Sequence, residues 1–172
     1  MIQQRPGPLD YGLMVALAAI WGGSFMGIKI AVAEIPPLTI GAGRVMLATL
    51  VFLTIVRLSG RSLPRRPASW ALMLAVGLVG TTLPFFLIAW GQIVVDAGPA
   101  AILMAGVPLY TLVLAHFFVA GDRLSPGKVI GLVFGLAGLV VLVGPENLAR
   151  LGDDTIRQLA IAGAALCYAV TA

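Results

Sequence analysis

Residues 70–95 read WALMLAVGLVGTTLPFFLIAWGQIVV, and no ionisable side chain interrupts them. An α-helix rises about 1.5 Å per residue, so roughly 20 apolar residues cross the hydrocarbon core of a bilayer. This stretch is therefore long enough to span a membrane. Similar runs lie on either side of it, at about 11–33, 37–56, 99–119 and 126–143. A sixth run starts near Ile156 and is still in progress at Ala172. The pattern predicts an all-α, polytopic transmembrane helix bundle of about six spans.

Composition agrees. Hydrophobic residues make up 60% of the chain and charged residues 10%, against about 25% charge in a soluble domain. A water-soluble fold of this size could not cover so much apolar surface, so the lipid bilayer is the expected partner. The net charge of +4 would suggest nucleic acid in a soluble protein. Here the positive charges sit mostly in one class of loop, so no nucleic-acid partner is expected. The single cysteine, Cys167, allows no internal disulfide and no cysteine metal cluster. No His-Glu-x-x-His spacing occurs, and no metal or other cofactor is expected. Gly127-Lys128 resembles the end of a phosphate-binding loop. Asp122 stands where the first glycine should be and Val129 where Ser or Thr should be, which excludes that reading.

The connections set an orientation. With a cytoplasmic N-terminus, the inner segments hold Arg5, Arg57, Arg61, Arg65, Arg66, Arg123 and Lys128. The outer segments hold Arg150 and Arg157, mixed with Glu146, Asp153 and Asp154. The asymmetry predicts N-in by the positive-inside rule. A cleaved signal peptide is the competing reading of the first run, because Ala31-Val32-Ala33 resembles a cleavage site. The length of the run, Lys29 near its end and the weak basic start at Arg5 argue against it.

The last run echoes the first. Leu13, Ala16, Ala18 and Ala19 match Leu159, Ala162, Ala164 and Ala165 at one constant offset, which places Trp21 opposite Cys167 and next to Tyr168. The echo follows five spans, an odd number, so a second copy would enter the membrane from the other side. Inverted repeats of this kind build many transporters, with the substrate site between the halves near the midplane. The expected organisation is a cytoplasmic tail at 1–10, a five-helix repeat at 11–145, and an outer loop with the start of a second repeat at 146–172.

Several short motifs resemble the EamA family of the drug/metabolite transporter superfamily. Trp21-Gly22-Gly23-Ser24-Phe25 is similar to that family's Trp-Gly-x-x-Phe opening. Pro37 and Arg44 reproduce its proline-to-arginine spacing in span two. Ala97-Gly98-Pro99-Ala100-Ala101 through Pro108-Leu109 resembles its span-four signature. Gly121-Asp122-Arg123-Leu124-Ser125 resembles its Gly-Glu-Arg turn, with Asp122 in place of Glu. The resemblance implies ten spans in two inverted halves of five around a central cavity. It implies a carrier of small metabolites, often an exporter of amino acids or related compounds, working by alternating access without ATP. This chain would then be one half and a fragment of the next. Its partner would be the missing second half of the same protein or another half-unit, with a dimer as one form. The alternative is a truncated or assembly-only membrane protein without transport activity. An enzyme is not expected, because Lys29, Arg44 and His116 are too scattered to form a reaction centre.

Polar groups inside spans face one another or a cavity, because facing lipid is costly. On span three, Thr81, Phe85, Ile88 and Gln92 fall on one face at helical spacing. Gln92 reads either as a substrate contact or as a helix-to-helix hydrogen bond. On span four, Met104, Pro108, Thr111 and Ala115 share a face. Thr111 reads either as a substrate contact or as a repair of the backbone freed by Pro108. Pro84 and Pro108 are the candidate hinges. Trp21 and Ser24 lie one turn apart on span one, and Trp21 either stacks on substrate or packs. Trp70 and Trp90 read as boundary anchors. Lys29 either snorkels to the outer surface or attracts an anionic substrate group. Arg44 is expected to hold a span-end carbonyl or a loop. His116 is expected in an interfacial hydrogen bond. The candidate substrate-binding set is thus Trp21, Ser24, Lys29, Thr81, Phe85, Gln92, Met104 and Thr111. Gly127, Gly131 and Gly135 form a smooth ridge for helix packing on span five.

Overall fold

The computed structural model describes residues 7–119, 124–143 and 154–172. The described residues are helical with short connections, and no strand occurs among them. Helix α1 covers Pro8–Ala31 and α2 covers Pro37–Leu58. Each opens with a proline in its first turn, where the missing N–H has no helical partner to lose. Asp10 closes the start of α1 by accepting the Gly7 N–H at 2.7 Å. Helix α2 ends in a Schellman motif. Gly60 takes φ +64°, the Arg61 N–H returns to the Val56 carbonyl at 3.2 Å and the Gly60 N–H to Arg57 at 3.2 Å.

The third span comes in three pieces: α3 at Pro67–Gly77, a π-helical turn at Leu78–Thr82, and α4 at Leu83–Gly91. Pro84 explains the wide turn. It has no N–H to return to the preceding turn, and a π-turn inserts a residue there without breaking the span. The Thr82 hydroxyl donates to the Gly77 carbonyl at 3.2 Å, across the same turn. The span begins earlier and ends earlier than the apolar run predicts. The Val94 and Val95 N–H groups both turn back to the Gly91 carbonyl, so residues 92–95 form a tight connection rather than helix.

The fourth span is also broken, into α5 at Ala97–Met104 and α6 at Val107–Phe118. Ala105 and Gly106 form a turn at the break, immediately before Pro108 in the first turn of α6. Both candidate hinge prolines therefore sit at departures from α-helical geometry. Helix α7 covers Pro126–Val143 and α8 covers Thr155–Thr171. Asp154 caps α8 by accepting the Arg157 N–H at 3.1 Å. Gly121, Asp122 and Arg123 of the family-like turn lie outside the described residues, as do Glu146, Arg150, Asp153 and Arg5.

Four helices, Pro8–Ala31, Pro37–Leu58, Pro67–Gly91 and Ala97–Phe118, are long and apolar enough to cross a membrane, and α7 and α8 are shorter apolar helices. Large apolar side chains point outward along them, among them Leu13, Leu17, Leu47 and Phe52. Such surface is unstable in water and ordinary in lipid. The chain is a multi-pass membrane protein.

Its buried centre is where α8 lies against α4, α5 and α6. Ala89, Ala100, Ile161, Ala164 and Ala165 are fully buried there. Small side chains let the backbones approach closely, which is how helices associate without a hydrophobic drive. Gly91 is the tightest point. A Cβ added there would strike the Ile161 side chain and come within 2.9 Å of the Arg157 carbonyl oxygen. Arg157 fastens the same corner. Its Nη1 donates to the Trp90 carbonyl at 2.7 Å, and its guanidinium lies 3.8 Å from the Trp90 ring centroid. Trp90 is thus a helix-to-helix contact in addition to any boundary role. Trp70 is exposed, and its Nε1 donates to the Pro64 carbonyl at 2.8 Å.

The glycine ridge on α7 behaves differently. Nothing lies within 4 Å of a Cβ built at Gly127, Gly131 or Gly135. Within the described residues the ridge packs against no neighbour. The glycines that do permit close contact are Gly91 and Gly80, on span three.

Candidate functional site

Helices α1, α2, α4, α5 and α8 converge on a cavity of about 190 Å³. Helix α1 supplies Trp21, Ser24, Phe25 and Ile28, one turn after another along one side. Arg44 enters from α2, Phe85 and Ile88 from α4, Met104 from α5 and Tyr168 from α8. A second cavity of about 580 Å³ shares Trp21, Phe25, Met104 and Tyr168 with the first. It extends past Ala101, Ala105 and Pro108 to Thr171. The two make one cleft that runs along the break in span four. The smaller part falls below the roughly 300–1,000 Å³ typical of drug-sized ligand sites, and the larger part falls within it.

The chemistry of the wall is simple. Aromatic rings and Met104 dominate it, and Arg44 is the charged residue. The Arg44 guanidinium lies over the Phe85 ring, 3.9 Å from its centroid. Arginine stacks this way because its charge is delocalised over a plane. The Ser24 hydroxyl donates to the Trp21 carbonyl at 2.9 Å, a local bond that leaves its lone pairs available. Among the described residues no aspartate or glutamate lines either part of the cleft.

The structure brings together half of the residues that the sequence singles out. Trp21, Ser24, Phe85 and Met104 meet in the cavity. Four others lie elsewhere. Gln92 is fully buried, and its Nε2 donates to the Phe25 carbonyl at 2.9 Å. It joins α1 to the end of α4, and among the described residues its Oε1 has no hydrogen-bond partner. Lys29 forms an ion pair with Asp96 at 3.1 Å and donates to the carbonyls of Val94 and Val95 at 3.2 and 3.3 Å. Lys29 thus reaches from the end of α1 to the connection after the third span, the direction a snorkelling side chain takes, and it is not among the described residues that line the cleft. Thr81 lines a separate groove between α2 and span three, with Val45, Phe52 and Met73. Thr111 lines another, with Phe118 on its own helix and Ala169 on α8.

The reason for the scatter is the same on both spans. The shared faces assume an unbroken α-helical period. The π-turn at Leu78–Thr82 changes the phase between Thr81 and Phe85, and the turn at Ala105–Gly106 does so between Met104 and Thr111.

Arg44, Phe25 and Tyr168 complete the wall and are absent from the sequence-derived set. Arg44 does not hold a span-end carbonyl or a loop; it faces the cavity. The signal was its charge at a depth where charge is costly. Phe25 lies one turn beyond Trp21. Tyr168 stands beside the position that the internal echo aligns with Trp21, and the two side chains meet in the cleft. His116 is outside the cleft, where its Nδ1 accepts the Leu124 N–H at 3.4 Å.

Residues 10–144 match the EamA-like transporter family. The chain is 32% identical over 140 residues to the uncharacterized inner membrane transporter YedA of Escherichia coli, covering 81% of this chain and 45% of that protein. It is 23% identical over 163 residues to the uncharacterized transporter YoaV of Bacillus subtilis, covering 91% and 53%. It is 26% identical over 138 residues to the chloroplastic WAT1-related protein At3g02690 of Arabidopsis thaliana, covering 80% and 33%. The chain thus spans about half the length, or less, of these curated relatives. No solved structure matches it. Family match and relatives agree with the membrane-length helices and with the motifs around Trp21, Arg44 and Pro99: the chain belongs to the EamA-like transporter family.

Proposed function

We propose that this chain is one half of a carrier for small metabolites such as amino acids or related compounds, working as an exporter by alternating access without ATP. The observation that carries the reading is the cleft shared by α1, α5 and α8, with aromatic walls and a broken span along one side. A carrier needs a site between elements that can shift, and non-helical backbone at membrane depth belongs beside a cavity. The turn at Ala105–Gly106 and the π-turn before Pro84 are the places where α5 and α4 can rock. The second half of the same protein, or a partner half-unit, covers the open side. The basic residues between α2 and α3, Arg57, Arg61, Arg65 and Arg66, support an orientation with that connection and the N-terminus on the cytoplasmic side, by the positive-inside rule.

The test is efflux of a labelled amino-acid mixture from proteoliposomes. One preparation contains this chain and another contains a version extended by a second set of spans. Flux in either preparation that falls at least tenfold with Met104→Trp, which fills the cleft, supports the reading. Flux unaffected by that substitution places the path elsewhere. No flux in either preparation favours the assembly-only alternative.

A further inference from the structure

We infer that Arg44 is the recognition point for a carboxylate, and that the ligand of this cleft is a small organic acid with an apolar body. The inference rests on the proposed function only in taking the cleft as the ligand site. Arg44 lies in the second turn of α2, inside a membrane span. A basic residue inside a membrane span is costly unless it is matched.

The other cations buried against spans are matched. Lys29 has Asp96 and two carbonyls. Arg157 has the Trp90 carbonyl and ring. Arg44 has a ring alone: the Phe85 face covers one side of its plane, and among the described residues no carboxylate or carbonyl accepts from its N–H groups. Stacking uses the face of a guanidinium and leaves its edge, the fork of N–H donors, for an acceptor. Arg44 lines a cavity whose walls include Trp21, Phe25, Met104 and Tyr168.

The fork matches a carboxylate in two parallel hydrogen bonds, which a neutral amide cannot reproduce. The rings accept an alkyl or aromatic body beside it. Among the described residues no carboxylate on this wall is available to an ammonium group, so the described wall reads the acid end of its ligand. Phe85 is a positioning residue: it holds the guanidinium plane without touching the acid.

A matched pair of probes tests this. The 172-residue chain in lipid nanodiscs is titrated with 3-phenylpropionate and with 3-phenylpropanamide, which differ in charge and little in shape. The acid binds at least tenfold tighter than the amide, equivalent to about 1.4 kcal/mol. Arg44→Gln removes that preference by weakening the acid and leaving the amide within twofold. Arg44→Lys, which keeps the charge without the fork, gives an intermediate preference and serves if the glutamine variant does not fold. Equal binding of the two probes to the parent chain overturns the inference, as does failure of the acid to bind. A preference that survives both substitutions also overturns it. Binding is read separately from flux. A chain that selects the acid but moves no solute in either half or extended form contradicts the transport reading and leaves the Arg44 site standing.

Discussion

Alanine at Gly91 should loosen α8 from the third span. Both α4 and α8 are fixed at this point by contacts on either side. Ile88 and Ala89 lie just before Gly91, and Ile161 is fully buried against Val95 and Ala100. The added methyl would collide with Ile161 and approach the Arg157 carbonyl oxygen to 2.9 Å. A rotamer change could relieve the first contact. Only movement of the α8 backbone relieves the second. Overpacking of this kind costs about 1–3 kcal/mol, and replacing a flexible glycine returns about 0.4–1 kcal/mol. The net loss is about 1–2 kcal/mol. At roughly 2–4 °C per kcal/mol for a chain of this size, Tm falls by about 2–8 °C. Thermal unfolding in detergent, followed by tryptophan fluorescence, reads this directly, because Trp90 is the neighbouring residue and stacks on Arg157. Gly131→Ala is the control: it adds the same methyl where nothing lies within 4 Å, and Tm stays level or rises. Gly80→Ala falls between them, since its added methyl meets Thr171 Oγ1 at 2.7 Å, which rotation can relieve, and Thr171 Cβ at 3.1 Å, which takes a shift of a few tenths of an ångström. A Gly91→Ala chain as stable as the parent, or a Gly131→Ala chain equally weakened, would refute the packing of α8 on α4.

Removing the Lys29 head with Lys29→Met should cost more than Asp96→Asn, because lysine also holds the carbonyls of Val94 and Val95. The asparagine change itself should cost less than about 1 kcal/mol, the range of a partly exposed ion pair; equal losses in a detergent melt would argue against the carbonyl bonds. Arg157→Lys keeps the charge and loses the stack on Trp90. It should lower stability by about 1 kcal/mol, and Arg157→Ala by more, since a hydrogen bond from a charged donor is lost as well. Gln92→Leu removes one interhelical hydrogen bond together with an unsatisfied Oε1. The predicted change is under about 1 kcal/mol by chemical unfolding, and a loss above 3 kcal/mol would mean that Gln92 holds more than the Phe25 carbonyl.

The span pattern was legible because its signal is length and polarity, which no local packing detail can reverse. The stretch at 70–95 was recognised as a span although its helix runs Pro67–Gly91, since proline at the start and a returning backbone at the end shift boundaries by a few residues. The candidate cleft was half legible. Trp21, Ser24, Phe85 and Met104 come together in it because they sit on stretches of regular helix. Thr81 and Thr111 line other grooves, because Thr81 lies in the π-turn and a two-residue turn separates Thr111 from Met104, and helical periodicity cannot announce its own interruptions. Arg44 was noticed for its depth and given the wrong partner, because its stacking ring comes from a different span. Tyr168 was visible only as a faint echo of the first span. The role of Gly91 depends on which helix arrives beside it, and no local pattern names that neighbour.

The central claim is that Met104, Trp21 and Arg44 line a water-accessible cleft inside the membrane while neighbouring faces meet lipid. Single-cysteine labelling with a small, charged, membrane-impermeant thiol reagent tests it, on chains in which Cys167 is first changed to alanine. Met104→Cys should react readily, and should be shielded by 3-phenylpropionate. Leu47→Cys, on the outward face of α2, should stay unreacted. Equal labelling at the two positions, or protection of Met104→Cys in the absence of any solute, would contradict the cleft and the function built upon it.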